Sequence, residues 1–247
     1  MNPLLWVLLL VCVLLLAAIV AIVRRRLNYI SFRDLAKTGG EMEFERAYFA
    51  FDEGAVRRRL AELGAAHRGV RLFRINMYRP GASGLGSLRV RDEGARVTMT
   101  AKRPAPGTAF NEEHEVVVDS FEGASKFVDA LGFERGYFVE KLRDIFVLDG
   151  AEVVFDTYPG LPSFIEIEAP SEPEVHRVAS LLGLSRDDPQ DRGAGHMYRD
   201  LYGIALGHET SLTFDGALAT LGPLARQGVD ELASRVDAQR ALIAGLR

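Results

Sequence analysis

The chain is poor in several of the residue types on which large classes of function depend. Its 247 residues include a single cysteine, Cys12, so neither an intramolecular disulfide framework nor a cysteine-cluster zinc site can be built. Five histidines are present without HExxH or paired-His spacing, which leaves oxygen atoms to ligate any metal. There is no Walker-type GxxxxGK[ST] and no kinase glycine-rich loop; Gly81, Gly84 and Gly86 have the spacing of a β-turn. An excess of positive charge is also missing. Thirty Lys+Arg against 34 Asp+Glu give a net charge of -4, which argues against a general nucleic-acid binder, so no DNA binding is expected. Neither an internal repeat nor a low-complexity tract occurs, and 48% hydrophobic residues with 26% charged ones describe a folded chain.

One long apolar run stands out. Pro3 to Val23 contains no charged residue and is dominated by Leu, Val, Ile and Ala, and about 20 apolar residues suffice to span a bilayer as a helix. Arg24, Arg25 and Arg26 follow it, whereas a secretory signal carries its basic residues in front. The positive-inside rule then places residue 24 onward in the cytoplasm. The expectation is a single-pass membrane protein: a transmembrane anchor over 1–23 contacting lipid through residues 3–23, a basic linker over 24–40, and a cytoplasmic domain.

Periodicity divides the rest. Candidate strands cover 41–51, 70–79, 86–92, 95–103, 112–118, 140–148, 151–157 and 163–169. Helical spacing predicts helices over 53–64, 121–131 and 172–183, with Gly64 and Gly132 at C-terminal cap positions. After Gly203 the composition shifts, and residues 215–246 read as helical, with a break near Gly222-Pro223.

The strands carry charge in register. Side chains alternate between the two faces of a strand, so Glu43 and Glu45 share one face while Met42, Phe44 and Tyr48 take the other. The same holds for Arg89 with Arg91, for Thr98 and Thr100 with Lys102, for Glu113 with Glu115, for Lys141 with Arg143, and for Glu166 with Glu168; Asp156 lies opposite Val153 and Phe155. A solvated sheet surface would mix Ser, Thr, Asn and Gln with charges of both signs, whereas these charges segregate by strand. A barrel closed with its charged face inward and its apolar face under helices accounts for the pattern. Its carboxylates are hard ligands suited to Mg²⁺ or Mn²⁺, and its guanidinium and ammonium groups suit phosphate oxygens.

In order along the chain, these segments resemble the CYTH superfamily, the triphosphate tunnel metalloenzymes. Glu43-Phe-Glu45-Arg-Ala47 is similar to its ExExK signature. Leu88-Arg89-Val-Arg91-Asp-Glu-Gly, Thr98-Met-Thr-Ala-Lys102, Glu112-Glu113-His-Glu115-Val, Glu140-Lys141-Leu-Arg143, Asp156 and Phe164-Ile-Glu166-Ile-Glu168 follow. The likeness covers residues 41–204, ending at Met197-Tyr-Arg-Asp-Leu-Tyr-Gly203, and leaves 205–247 as a helical tail; it is nearest to the class IV adenylyl cyclase-like branch. It implies an α+β fold: an eight-stranded antiparallel β-barrel, or tunnel, with a charged interior and helices outside, here joined to the transmembrane helix. It further implies Mg²⁺ or Mn²⁺ held by Glu43, Glu45, Asp156, Glu166 and Glu168, and a triphosphate held by Arg89, Arg91, Lys102 and Arg143, with Glu113, Glu115 and Lys141 as further candidates. The implied substrate is ATP, inorganic triphosphate or another triphosphate. ATP would be cyclised to cyclic AMP and pyrophosphate, or the triphosphate would be hydrolysed. Related barrels can pair, which leaves a homodimer open.

Ala47 departs from the signature, which places a lysine there. Arg46 points to the other face by alternation, and Arg71 or Arg74 on the next strand are candidate replacements. A missing charge-assisted contact costs about 1.5–3 kcal/mol. Ala47 is therefore the feature favouring the alternative reading, a non-catalytic sensor that binds polyphosphate or a nucleotide. A salt-bridged structural barrel ranks last, because burying so many charges without a ligand carries a large desolvation cost. The histidines read as surface or satisfied side chains.

Overall fold

A computed structural model describes residues 41–81, 83–107, 110–184, 193–207, 210–226 and 228–246, apart from the side chains of Glu41 and Glu43. Within the compact unit Gly39–Arg247, the order is β1 (Glu41–Tyr48), α1 (Glu53–Glu62), β2 (Ala66–Tyr78), β3 (Ser87–Asp92), β4 (Val97–Pro104), β5 (Asn111–Val118), α2 (Phe121–Ala130), β6 (Arg135–Leu148), β7 (Ala151–Thr157), β8 (Phe164–Ala169), α3 (Glu172–Leu181), α4 (Ala194–Tyr202), β9 (Thr210–Leu212), α5 (Ala217–Leu221) and α6 (Val229–Ala244).

The strands form one curled sheet in the order β2-β3-β4-β5-β1-β8-β7-β6-β9, and β2 pairs with β6 as well as β3. The outer face is apolar and covered by helices. α1 begins where the Asp52 side chain accepts from the Ala55 amide, and its Val56 and Leu60 pack with Val175 and Val178 of α3 against Tyr48, Phe155, Ile165 and Ile167. α2, capped by Ser120, lays Phe121, Ala124 and Val128 on Leu88 and Val90. Helix propensity and capping set where these helices start, but the apolar stripe decides where they lie.

Three parts of the expected fold are corrected. The sheet has nine strands rather than eight, and β9 runs parallel to β6, so the expected eight-stranded, wholly antiparallel barrel becomes a curled, mainly antiparallel sheet in which β2 and β6 pair and β9 joins the other edge of β6. The cause is the length of β6. It starts at Arg135, while β7 pairs with it only from Leu142 onward, which leaves the edge of Tyr137–Val139 for Thr210–Leu212. Similarly, β2 starts at Ala66, ahead of the expected residue 70; a register shift between His67 and Gly69, where Gly69 has φ +94°, hides the alternation there.

The third correction concerns the membrane. The apolar run 3–23 and the linker 24–40 lie outside the described residues, and among the described residues no helix is long and apolar enough to cross a membrane. The longest, α6, carries Asp230, Glu231, Arg235, Asp237 and Arg240 in 16 residues. The expected transmembrane helix and single-pass cytoplasmic topology are accordingly not carried forward.

Leu60 is fully buried between α1 and the sheet. Leu60→Ala is expected to lower the unfolding free energy by about 2–5 kcal/mol, read as a fall in the urea midpoint. A change below 1 kcal/mol would mean that α1 does not anchor on the sheet as described.

Candidate functional site

The concave face is where the charged rows meet. Arg143 on β6 and Asp156 on β7 are paired in register. The Arg143 guanidinium donates through Nε to Asp156 Oδ1 at 2.8 Å and through Nη2 to Asp156 Oδ2 and to Glu166 Oε2, each at 2.5 Å. Lys141 Nζ donates to Asp156 Oδ2 at 2.8 Å. Asp156 has no exposed surface. Burial alone would push its carboxyl up, but Arg143 and Lys141 outweigh burial and hold it well below the usual carboxylate range.

Glu166 answers differently to the same surroundings. Burial, then the negative charge of Asp156 and that of Glu45, push its carboxyl up to about 7 against the pull of Arg143 and Lys141. The ammonium of Lys141 is lowered to about 8, by burial first and then by Arg143. Around the curl, Lys102 of β4 bridges Glu45 of β1 at 3.1 Å and Glu113 of β5 at 3.3 Å. Burial pushes Glu45 up, but Lys102, with Arg89 and Arg143, more than offsets this and lowers it. Arg89 is paired in register with Thr100 and acts electrostatically on both Glu45 and Tyr137.

A second ionic cluster sits further along β3. Arg91 Nη2 lies 2.5 Å from Glu93 Oε1 and 3.3 Å from Glu115 Oε2, Thr100 donates to Glu115 at 2.8 Å, and Arg96 Nε meets Glu93 Oε2 at 2.9 Å. Between the two clusters lies the ring of Phe73 on β2. Arg91, Lys141 and Arg143 stand 5.4, 5.5 and 5.9 Å from its centroid, within cation–π range.

Of the residues singled out from the sequence, Glu45, Asp156, Glu166, Lys102, Arg143, Lys141, Arg91, Glu113 and Glu115 make direct contacts in these clusters. Glu168 lies beside Glu45 and Glu152 in register, and Glu43 falls opposite Asn111, its side chain undescribed. Arg46 points outward to Glu172 at 3.7 Å, and Arg74 binds Asp92. Arg71 is paired in register with Arg143, on the charged face. Ala47 faces Glu166 in register and packs with an apolar cluster. Phe73 and Glu93 were not anticipated. Alternation from Arg71 places Phe73 on the charged face, but an aromatic among cations carries no distinctive sequence signal. Glu93 follows a strand whose end conceals its direction.

A family model described as CYTH domain matches residues 76–180. Residues 76–180 are identified by that match as a CYTH domain. The matched segment contains Arg89, Arg91, Lys102, Lys141, Arg143, Asp156, Glu166 and Glu168; Glu45 precedes it and α4 to α6 follow it. Among solved structures, the CYTH domain is similar in fold to the PH1012 protein from Pyrococcus horikoshii OT3, with TM-score 0.55 and 23% identity over 63% of this chain and 99% of that one. It is similar also to a conserved hypothetical protein from Pyrococcus furiosus, with TM-score 0.55 and 20% identity over 63% of this chain and 99% of that one. A third is a candidate adenylate cyclase from Vibrio parahaemolyticus, with TM-score 0.56 and 16% identity over 64% and 98%. No curated protein matches the chain.

Glu93 sets an acid limit on the CYTH domain. Burial raises its carboxyl, but Arg91 and Arg96 bring it down to about 2 from 4.5. A carboxyl depressed in the folded state contributes stability in full above its unfolded pKa and loses it as pH falls through the folded one. The depression is worth about 3 kcal/mol. Glu93→Gln is expected to flatten the loss of stability between pH 4.5 and 2, followed by urea unfolding at stepped pH; an acid limb as steep as the wild type's would assign that loss to other carboxylates.

Proposed function

We propose that this CYTH domain is an enzyme that binds a triphosphate along the concave face and acts on it with a divalent cation, Mg²⁺ or Mn²⁺. The observation that carries the reading is the meeting of Arg89, Arg91, Lys102, Lys141 and Arg143 from three strands on one face, with Glu45, Asp156 and Glu166 set among them. Guanidinium groups grip phosphate oxygens bidentately, and several distributed over three strands match a chain of phosphoryl groups better than a single one.

The donor chemistry suits a hard cation. Among the described residues, no three Asp, Glu, His or Cys side chains already form a metal-holding group. Glu45, Asp156 and Glu166 nevertheless offer only oxygen, and burial together with the charges of Asp156 and Glu45 pushes the Glu166 carboxyl up, which a cation beside it would offset. These three, with Glu43 and Glu168 beside them in sequence, would hold the ion. Once bound, it would polarise phosphoryl oxygens and neutralise charge developing on them. Lys102 would exchange its carboxylate partners for phosphate oxygens, while Arg143 is fixed by Asp156 and presents its guanidinium in a set orientation. Lys141, bonded to Asp156, is a further cation on this face.

Two reactions fit such a site. In hydrolysis, water gives up a proton to solvent and attacks the terminal phosphorus as its bridging P–O bond breaks, releasing orthophosphate and the remaining diphosphate; in cyclisation, the ribose 3′-hydroxyl gives up its proton and attacks the α-phosphorus as the α–β bridging bond breaks and pyrophosphate leaves. The name of the Vibrio neighbour brings ATP cyclisation into the reading, and Ala47 keeps a binding module as its rival. The full chain incubated with ATP or tripolyphosphate and Mg²⁺ or Mn²⁺, with products separated chromatographically, is expected to yield cyclic AMP with pyrophosphate, or orthophosphate. Chelation should abolish the product, and Lys102→Met should lower kcat/KM about tenfold to a hundredfold, the loss of one charge-assisted contact. Saturable binding without product would establish the binding module. No binding of either ligand would overturn the reading.

A further inference from the structure

The turn between β7 and β8 joins the strands that carry Asp156 and Glu166, and side chains from beyond the matched CYTH segment hold it. Gln239 of α6 is 4% exposed and spends its whole amide on this turn. Its Nε2 donates to Tyr158 O at 3.2 Å and to Leu161 O at 2.9 Å, and its Oε1 accepts from Gly160 N at 2.9 Å. Tyr198 of α4 donates to Pro159 O at 2.8 Å, and Tyr202 and Arg235 donate to Gly160 O at 2.5 and 3.1 Å. Every backbone carbonyl from Tyr158 to Leu161 thus has a side-chain partner from α4 or α6.

A second observation shows how closely these parts fit. Gly160 has φ +73°, and a Cβ there would lie 2.5 Å from Leu221 Cδ1, 3.1 Å from Leu232 Cδ1 and 3.3 Å from the Tyr202 hydroxyl. Only glycine combines that backbone conformation with that approach. Leu221 and Leu232 belong to the cluster that includes Phe164, Tyr158 and Phe49 beside the charged groups. Tyr158 in turn faces Lys141, whose ammonium lies 5.7 Å from its ring centroid.

We infer that Gln239 is a positioning residue, which fixes the β7–β8 turn so that Asp156 and Glu166 keep their spacing across the site. The inference rests on the triphosphate reading above, and it makes residues 193–246 part of the working site. Buried amide groups that cross-link a turn are costly to leave unmatched, and replacing Gln239 removes three hydrogen bonds to the turn's backbone at once. Arg89, Arg91 and Lys102 lie on β3 and β4, away from the turn, so substrate capture should survive while the acidic side of the site loosens. The expected signature is a fall in kcat with KM retained.

The test compares full-length wild type with Gln239→Leu, Gln239→Glu and Val128→Ala. The glutamate still accepts from Gly160 but turns a carboxylate toward two carbonyls; Val128 is buried on the inner face of α2, so its truncation gives the effect of plain destabilisation. Gln239→Leu and Gln239→Glu should raise hydrogen exchange across residues 151–169 without changing residues 87–104. They should lower kcat with tripolyphosphate about tenfold at a KM within twofold, whereas Val128→Ala should leave kcat per folded molecule unchanged. Unchanged exchange over 151–169, or a kcat per folded molecule equal to that of Val128→Ala, would overturn the inference. If the wild type shows no turnover, the enzyme reading fails by itself. The positioning role is then decided by calorimetry with Mn²⁺ alone: weaker binding by Gln239→Leu upholds it and equal binding overturns it.

Discussion

The buried pair of Arg143 and Asp156 is the constraint on which the rest of the site depends. A carboxylate with no exposed surface is tolerable only when paired and fully hydrogen-bonded, and Asp156 receives three charge-assisted bonds from Arg143 and Lys141. Those bonds require β6 and β7 to be in register. The long pairing of β6 with β2 then brings Phe73 beneath the same cations. Satisfying one buried charge therefore sets the register of three strands.

The pair also explains why neighbouring carboxylates behave so differently. Asp156 has the two cations at contact distance and stays ionised. Glu166 bonds to only one of them, and its burial together with the negative charges of Asp156 and Glu45 pushes its carboxyl up to about 7. Such a gradient of charge demand along one face is what a bound cation and a polyanion together would level. Glu93 and Glu115 complete a similar arrangement around Arg91, but there the carboxylates are already matched by Arg91, Arg96 and Thr100.

Much of this was legible in the sequence, because period two is a strong signal when charges segregate. The alternation in β1, β3, β4, β5 and β8 placed Glu45, Arg91, Lys102, Glu115 and Glu166 on one face correctly, and alternation also turned Arg46 outward. What was hidden has physical causes. Gly69 interrupts the alternation of β2, β9 is too short to show any, and β6 begins with residues whose partners lie 57 or more residues back in β2 and 73 residues ahead in β9. The hold of Gln239 on the β7–β8 turn was equally hidden: a glutamine within a helix reads as a solvated residue, and nothing local announces that its amide crosses to a distant turn. The apolar run at residues 3–23 is long enough to span a bilayer, but it lies outside the described residues, and no described helix supports that topology.

The most direct test of the account is calorimetric titration of tripolyphosphate and of orthophosphate into the full chain with Mg²⁺. Contacts distributed over three strands predict one tripolyphosphate per chain, bound at least about a hundredfold more tightly than orthophosphate, equivalent to roughly 3 kcal/mol from added charge-assisted contacts. The preference should disappear when Arg89 and Lys102 are both replaced by methionine in a chain that keeps its circular dichroism. Equal, weak binding of both anions, or a preference that survives the double substitution, would show that the charged face is not a triphosphate site.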